Sequence, residues 1–147
     1  VAVAALAISL EPLAAIEGPQ HRFSVPSLER PLPPGSGSPE AGQKVFARKC
    51  ASCHTPPGQR WPGRIGIAMT ACWQQPHALF HFVKTAMPPT APGTLKDPEV
   101  YAVVAFLLKD AGALPAGVVV DAKTLPAVAM PNRGGTLPSN CLELVRR

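Results

Sequence analysis

The chain predicts an all-α domain of about three to four helices with long irregular tails at both ends, and three observations predict it. Three segments open with a proline where a helix accepts one, at Pro39, Pro76 and Pro98. The β-branched run Val118-Val119-Val120 is too brief to predict a strand. Directly after the first helical segment stands Cys50-Ala51-Ser52-Cys53-His54, and the rest of the chain is organised around it.

At 147 residues there is room for one domain plus tails, since independently folding domains run from about 50 to 250 residues. The 19 prolines crowd into residues 12–39, 56–62, 76–98 and 115–138, so much of the chain is loop. Five Phe, two Trp and one Tyr are few for a self-sufficient core. A buried prosthetic group would supply the missing apolar mass. The formal charge of +5 is scattered, without the basic run that nucleic acid would need as a partner.

Four stretches follow in order. Residues 1–15 form an apolar run interrupted by Glu11 and Pro12. It is too short to span a membrane, which takes about 20 residues, and it matches the end of a secretory signal with Ala5-Leu6-Ala7 as a cleavage site. No basic stretch precedes it, so its start reads as truncated. The expectation is export to the periplasm, with membrane association only if this segment is retained. Residues 16–38 carry Pro19, Pro26, Pro31, Pro33 and Pro34 and end in Gly35-Ser36-Gly37-Ser38, the composition of a linker or of a strap lying on the domain.

The domain is expected over residues 39–112. Ser38 suits an N-cap, Pro39 the first helical position and Glu40 the first turn, where the helix dipole favours an anion. This helix should reach about Cys50, with Ala41, Val45, Phe46 and Lys49 at helical spacing and Gly42 leaving a gap for a second helix. Thr55-Pro56-Pro57-Gly58 then forbids helix. A second helix starts at Pro76 and stops by Met87, because Pro88, Pro89 and Pro92 follow. The third has Asp97 as N-cap, Pro98 at the first position, an apolar body from Val100 to Leu108 and Gly112 as the C-terminal signal. Being apolar nearly all round, it should be buried against both a helix and a cofactor. Residues 113–147, with Pro115, Pro126, Pro131 and Pro138, read as an extended tail.

Two thiols two residues apart, followed at once by an imidazole, have the spacing at which a haem is bonded through both vinyl groups while the histidine reaches its iron. Cys50 and Cys53 are the thioether candidates and His54 the axial candidate, for one covalent haem c. A zinc site and a disulfide redox pair are the competing readings. Zinc would need two more ligands, and Cys72, Cys141 and the remaining histidines lack paired spacing. A redox pair would need a βαβ context that this chain does not predict.

For the sixth position of the iron, Met87 is the leading candidate, in a loop stiffened by Pro88 and Pro89. Met69, Met130 and a histidine are alternatives, as is an open site, which would make the protein a haem enzyme or gas sensor instead of a carrier. His77 and His81, four apart on a predicted helix, read as surface residues or as residues around the site. His21 is expected to be solvated. Cys72 and Cys141 are either a disulfide or free. Arg60, Trp61, Arg64 and Trp73 are candidate donors to haem propionates, and the Pro56 carbonyl is a candidate partner for the second ring nitrogen of His54.

From Pro39 to Ala111 the sequence resembles a class I monohaem cytochrome c, on Gly42 and Phe46, the Cys50–His54 motif, Met87-Pro88, and Tyr101 and Phe106. The resemblance implies that the first and last helices cross at Gly42, with Phe46 against Phe106 and Tyr101 nearby. A narrower likeness joins Ala86-Met87-Pro88-Pro89-Thr90-Ala91-Pro92, the helix start from Asp97 to Val103, Asp121-Ala122-Lys123-Thr124-Leu125 and Met130-Pro131-Asn132-Arg133. Together these look like the cytochrome subunits of sulfane dehydrogenase in the Sox thiosulfate-oxidation system and of related sulfite-type dehydrogenases. That likeness implies an electron carrier without catalytic residues of its own. Its donor would be a dehydrogenase catalytic subunit of the molybdenum type, and its acceptor another cytochrome or an oxidase. Those subunits commonly carry a second haem domain, and the sequence after Arg133 departs from theirs, as a fragment or an altered reading frame would.

Overall fold

The computed structural model describes residues 30–55 and 70–133. The expectations placed on residues 1–29 (His21 among them), on Pro56, Arg60, Trp61, Arg64 and Met69, and on residues 134–147 with Cys141 lie outside these. The described residues form four helices: α1 (Pro39–Lys49), α2 (Ala51–His54), α3 (Pro76–Ala86) and α4 (Asp97–Asp110). A two-residue antiparallel pair, β1 (Ser36–Gly37) with β2 (Val120–Asp121), and a 3-10 turn at Leu125–Ala127 complete them. The all-α architecture of about three to four helices expected from the sequence is the one observed among the described residues, with residues 30–37 and 113–133 mainly irregular.

Helix α1 starts as its residues require. The Ser38 hydroxyl accepts the Ala41 N–H at 3.2 Å, Pro39 occupies the first turn and Glu40 lies beside the helix N-terminus. Its buried stripe is Pro39, Gly42, Val45 and Phe46; Ala41, expected on that face, is exposed. The stripe turns toward Gly42 because that residue meets α4. A Cβ placed on Gly42 would overlap the Ala102 carbonyl and stand 2.7 Å from Phe106 Cβ. One turn on, the rings of Phe46 and Phe106 lie 5.4 Å apart at 48°. The helix crossing therefore sits where the glycine permits it.

Helix α4 is the central element, with every side chain from Val100 to Leu108 buried. It begins one residue earlier than Asp97 as a cap would give. Lys96 is the N-cap, because the Glu99 carboxylate reaches back to the Lys96 N–H at 3.0 Å and Asp97 is thereby free to pair with Lys84 at 2.7 Å. Its end is a Schellman turn, in which the Ala113 N–H reaches the Leu108 carbonyl at 2.8 Å and the Gly112 N–H that of Lys109 at 2.9 Å, with Gly112 at φ +76°. Helix α3 packs on another side of α4, with the ring of Phe80 4.5 Å from that of Tyr101. Tyr101 is thus turned toward α3, and its hydroxyl donates to the Pro33 carbonyl at 2.7 Å.

The stretch read as a linker or strap is a strap from Arg30 onward. Tyr101 holds Pro33, His81 Nε2 lies 2.9 Å from the Arg30 carbonyl, and Gly37 meets the backbone of Tyr101 and Ala102. Leu114, Val120, Leu125 and Met130 are buried in the same core, and Val120 lies opposite Gly37 of the strap, so the residues after α4 close onto the helices. Among the described residues no helix is long and apolar enough to cross a membrane.

Candidate metal centre

Cys50 ends α1 and starts α2. Its N–H donates to the Phe46 carbonyl at 2.9 Å, and its own carbonyl accepts from Cys53 at 3.1 Å and His54 at 3.0 Å. That single helical turn sets Cys50, Cys53 and His54 at i, i+3 and i+4, on one side of the chain. The imidazole of His54 lies 6.4 Å from the ring of Phe46. The Phe46 that braces the helix crossing therefore also backs the histidine.

These residues form one lip of an apolar cleft with Phe46 and Lys49; the other lip is Val83, Met87, Pro88 and Pro89, and Val103 of α4 also lines it. The structure brings all four candidate residues, Cys50, Cys53, His54 and Met87, to the same cleft. Met87 reaches it as the residue after α3, its N–H still held by the Val83 carbonyl at 3.3 Å. The Met87–Pro88 bond is cis. Lys49 is the charged lining residue, and its ammonium is engaged by Glu99 at 2.9 Å.

Burial pushes the Cys50 thiol up to about 11, assisted by Cys53 and opposed by Lys49. A redox pair requires the reverse, a thiol depressed toward neutrality so that its thiolate can attack. Burial also holds the His54 imidazole below its usual range, which keeps the ring neutral with a lone pair to donate. Among the described residues no three His, Cys, Asp or Glu side chains converge as a metal-ion cage would require. Two thiols at the edge of a cleft, a neutral imidazole and a facing thioether suit a porphyrin tethered at its rim and ligated through its iron. The donor set fits haem c.

The remaining candidates disperse. Met130 is buried in the core beside the C-terminal segment. His81 is only 3 % exposed and serves the strap through Arg30, so the surface reading does not hold for it; a buried imidazole needs a partner, and the strap supplies it. His77 is half-buried, and its pKa is lowered first by burial and then by the nearby His81. Cys72 is disulfide-bonded. Trp73 lies against Phe82, with ring centroids 4.9 Å apart at 43°. Val83 and Val103 are lining residues that the sequence reading missed. The one signal for Val103 was the uninterrupted apolar run of α4, which leaves a helix face over after its helical neighbours are served.

Comparison with known proteins adds two findings. Residues 37–107 match the family described as cytochrome c oxidase, cbb3-type, subunit III. A chain of the crystal structure of the sulfane dehydrogenase SoxCD from Paracoccus pantotrophus superposes with a TM-score of 0.59 at 25% identity, over 74% of the present chain and 61% of its own. The present chain thus spans less than two thirds of that relative. No curated protein sequence matches it.

Proposed function

We propose, from the match of residues 37–107 to a cytochrome c family model and the fold shared with the SoxCD chain, that this chain is an electron-transfer cytochrome of class I fold holding one haem c through Cys50 and Cys53. In this reading His54 and Met87 would ligate its iron. The single observation that carries it is the meeting of Cys50, Cys53, His54 and Met87 at one apolar cleft.

Bound there, haem iron supplies one-electron reduction and reoxidation. The chain's own residues do the rest. Cys50 and Cys53 tether, and one helical turn between them keeps both sulfurs at the same edge. His54, kept neutral by burial, presents a lone pair, and Phe46 limits the tilt of its ring. Met87 offers a soft thioether that favours the reduced state and raises the potential. Val83, Val103, Pro88 and Pro89 keep water away, which strengthens the same preference. No residue of the cleft is needed to break a bond, so the protein works as a carrier or as a subunit of an oxidoreductase.

Its electrons would come from a dehydrogenase catalytic subunit of the molybdenum sulfane or sulfite type and leave to an acceptor cytochrome or oxidase. The likeness to SoxCD supports the first half of that reading, and with it a place in sulfur oxidation. The periplasm is the proposed compartment, on the expected leader in residues 1–15. The proposed cytochrome domain is 39–112; of the flanking stretches 16–38 and 113–147, residues 30–38 strap across it and Leu114, Val120, Leu125 and Met130 pack into its core.

The deciding experiment compares wild type with Met87→Ala after expression with the haem-attachment machinery, by optical and redox titration and by exposure of the ferrous proteins to CO. Wild type should show the long-wavelength thioether-to-iron band and resist CO. Met87→Ala should lose the band, bind CO readily and titrate at a lower potential. An unchanged spectrum, or a wild type that takes up CO at once, would remove Met87 as ligand and the carrier with it.

A further inference from the structure

We infer that Lys84 is the positioning residue for Met87, closing with one ammonium group the base of the loop that carries the thioether. This deepens the reading of Met87 as axial ligand and rests on it.

The chain from Met87 to Lys96 leaves α3 and enters α4. Lys84 stands three residues before Met87, in the last turn of α3. Its Nζ donates to the Leu95 carbonyl at 2.7 Å and pairs with the Asp97 carboxylate at 2.7 Å. One cation thus ties the helix that delivers Met87 to the far end of the same loop and to the first residue of the next helix. Leu95 is 1 % exposed, so the carbonyl that Lys84 holds belongs to a residue fixed in the core.

The bonds at the tip of the loop are of a different kind. The Ala91 N–H reaches the Pro88 carbonyl at 2.9 Å, the Thr94 hydroxyl reaches the Ala91 carbonyl at 2.8 Å, and Gly93 turns the chain at φ +76°. These shape the tip and anchor it to no helix. The Met87 N–H holds to Val83 at 3.3 Å, one of the longer backbone bonds among the described turns, loops and caps. Between α3 and the end of the loop, Lys84 therefore supplies the firmest tie. A charge-assisted bond to a carbonyl is stronger than a neutral one, and fixing both ends of a short loop removes states in which Met87 would swing off the cleft.

The test uses the full chain loaded with haem, as wild type, Lys84→Met and Lys84→Arg. The thioether-to-iron band of the oxidised protein and the far-ultraviolet circular dichroism are both followed against temperature. Lys84→Met keeps the length of the side chain and removes its charge. It should shift the balance between ligated and open loop roughly tenfold toward open, the effect of losing one charged hydrogen bond. The band should then vanish well below the temperature at which the helices melt, and Lys84→Arg should restore most of the difference. If band and helices in Lys84→Met lose stability by the same number of degrees, Lys84 is only structural and the inference is overturned. A band that does not move in Lys84→Met overturns it as well. If wild type itself lacks the band, the reading of Met87 fails first and takes the inference with it.

Discussion

Gly42 of α1 and Ala102 of α4 meet backbone to backbone, with no space for a methyl group between them. This contact sets how close the two helices lie. It also sets the position of Phe46, one turn further on, between Phe106 and His54. The stiffness of the histidine's surroundings therefore begins at a residue with no side chain.

Gly42→Ala is accordingly expected to destabilise the protein by about 1–3 kcal/mol, the range for forcing a methyl group into a packed contact, against the small gain that alanine gives an open helix. Chemical denaturation of the haem-loaded protein should show a lower midpoint with an unchanged slope. An unaltered midpoint would mean that α1 and α4 do not cross here.

Glu99 gives a pH dependence with a definite sign. Its carboxyl is held below the usual 4.5 first by the Lys96 N–H and then by Lys49. A carboxylate depressed in the folded state contributes stability that is full above the unfolded value and is lost as pH falls through the folded one. Glu99→Gln should lower stability at neutral pH by a few tenths to about 1 kcal/mol, as solvent-screened pairs do. The gap to wild type should close on acidification below about 4.5. Thermal melts of both proteins from neutral to acid pH check this, and a gap that widens toward acid would contradict it.

The Tyr101 hydroxyl holds the strap through Pro33 at 2.7 Å while its ring packs on Phe80. Tyr101→Phe keeps the ring and removes the bond. Total stability should fall by about 1 kcal/mol. Hydrogen exchange should rise around residues 30–37 before it rises in α1 or α4, and uniform acceleration across the domain would show that the strap is not held separately.

The helices were legible because their signals are local. Proline at a first turn, a serine cap and a glycine after the last turn act within a few residues, and the structure uses Ser38, Pro39, Pro76, Pro98 and Gly112 in that way. The cap of α4 slipped by one residue because two carboxylates, Asp97 and Glu99, competed for it, and a lysine on another helix claimed Asp97. The Cys50–His54 motif and Met87 were legible as chemistry, from residue type and spacing. The wall of their cleft was less legible, since Val83 has no pattern that marks it and Val103 has only the apolar run of α4.

The strap and the C-terminal segment illustrate the opposite limit. Pro, Gly and Ser in residues 31–38 describe a chain with no order of its own, and its order comes from Tyr101, His81 and Ala102 on elements far along the sequence. Val120, Leu125 and Met130 are each five apart, a spacing with neither helical nor strand period, so their burial leaves no periodic trace. His81 escaped for the same reason, its partner being a backbone carbonyl about fifty residues away, a contact that no local rule reaches.

The register of the small ladder has a mechanical consequence. Ser36 lies opposite Asp121 and Gly37 opposite Val120, so the chain arrives at and departs from the same end of the pair. Tension applied through the two flanking segments would open the ladder like a zipper, one bond at a time, instead of shearing its bonds together. On the arriving side the load would first meet Arg30 on His81, then Pro33 on Tyr101, each able to yield alone. The domain would thus shed its wrapping in steps under a pull, while the crossing of α1 and α4 behind the cleft stayed unloaded until the last.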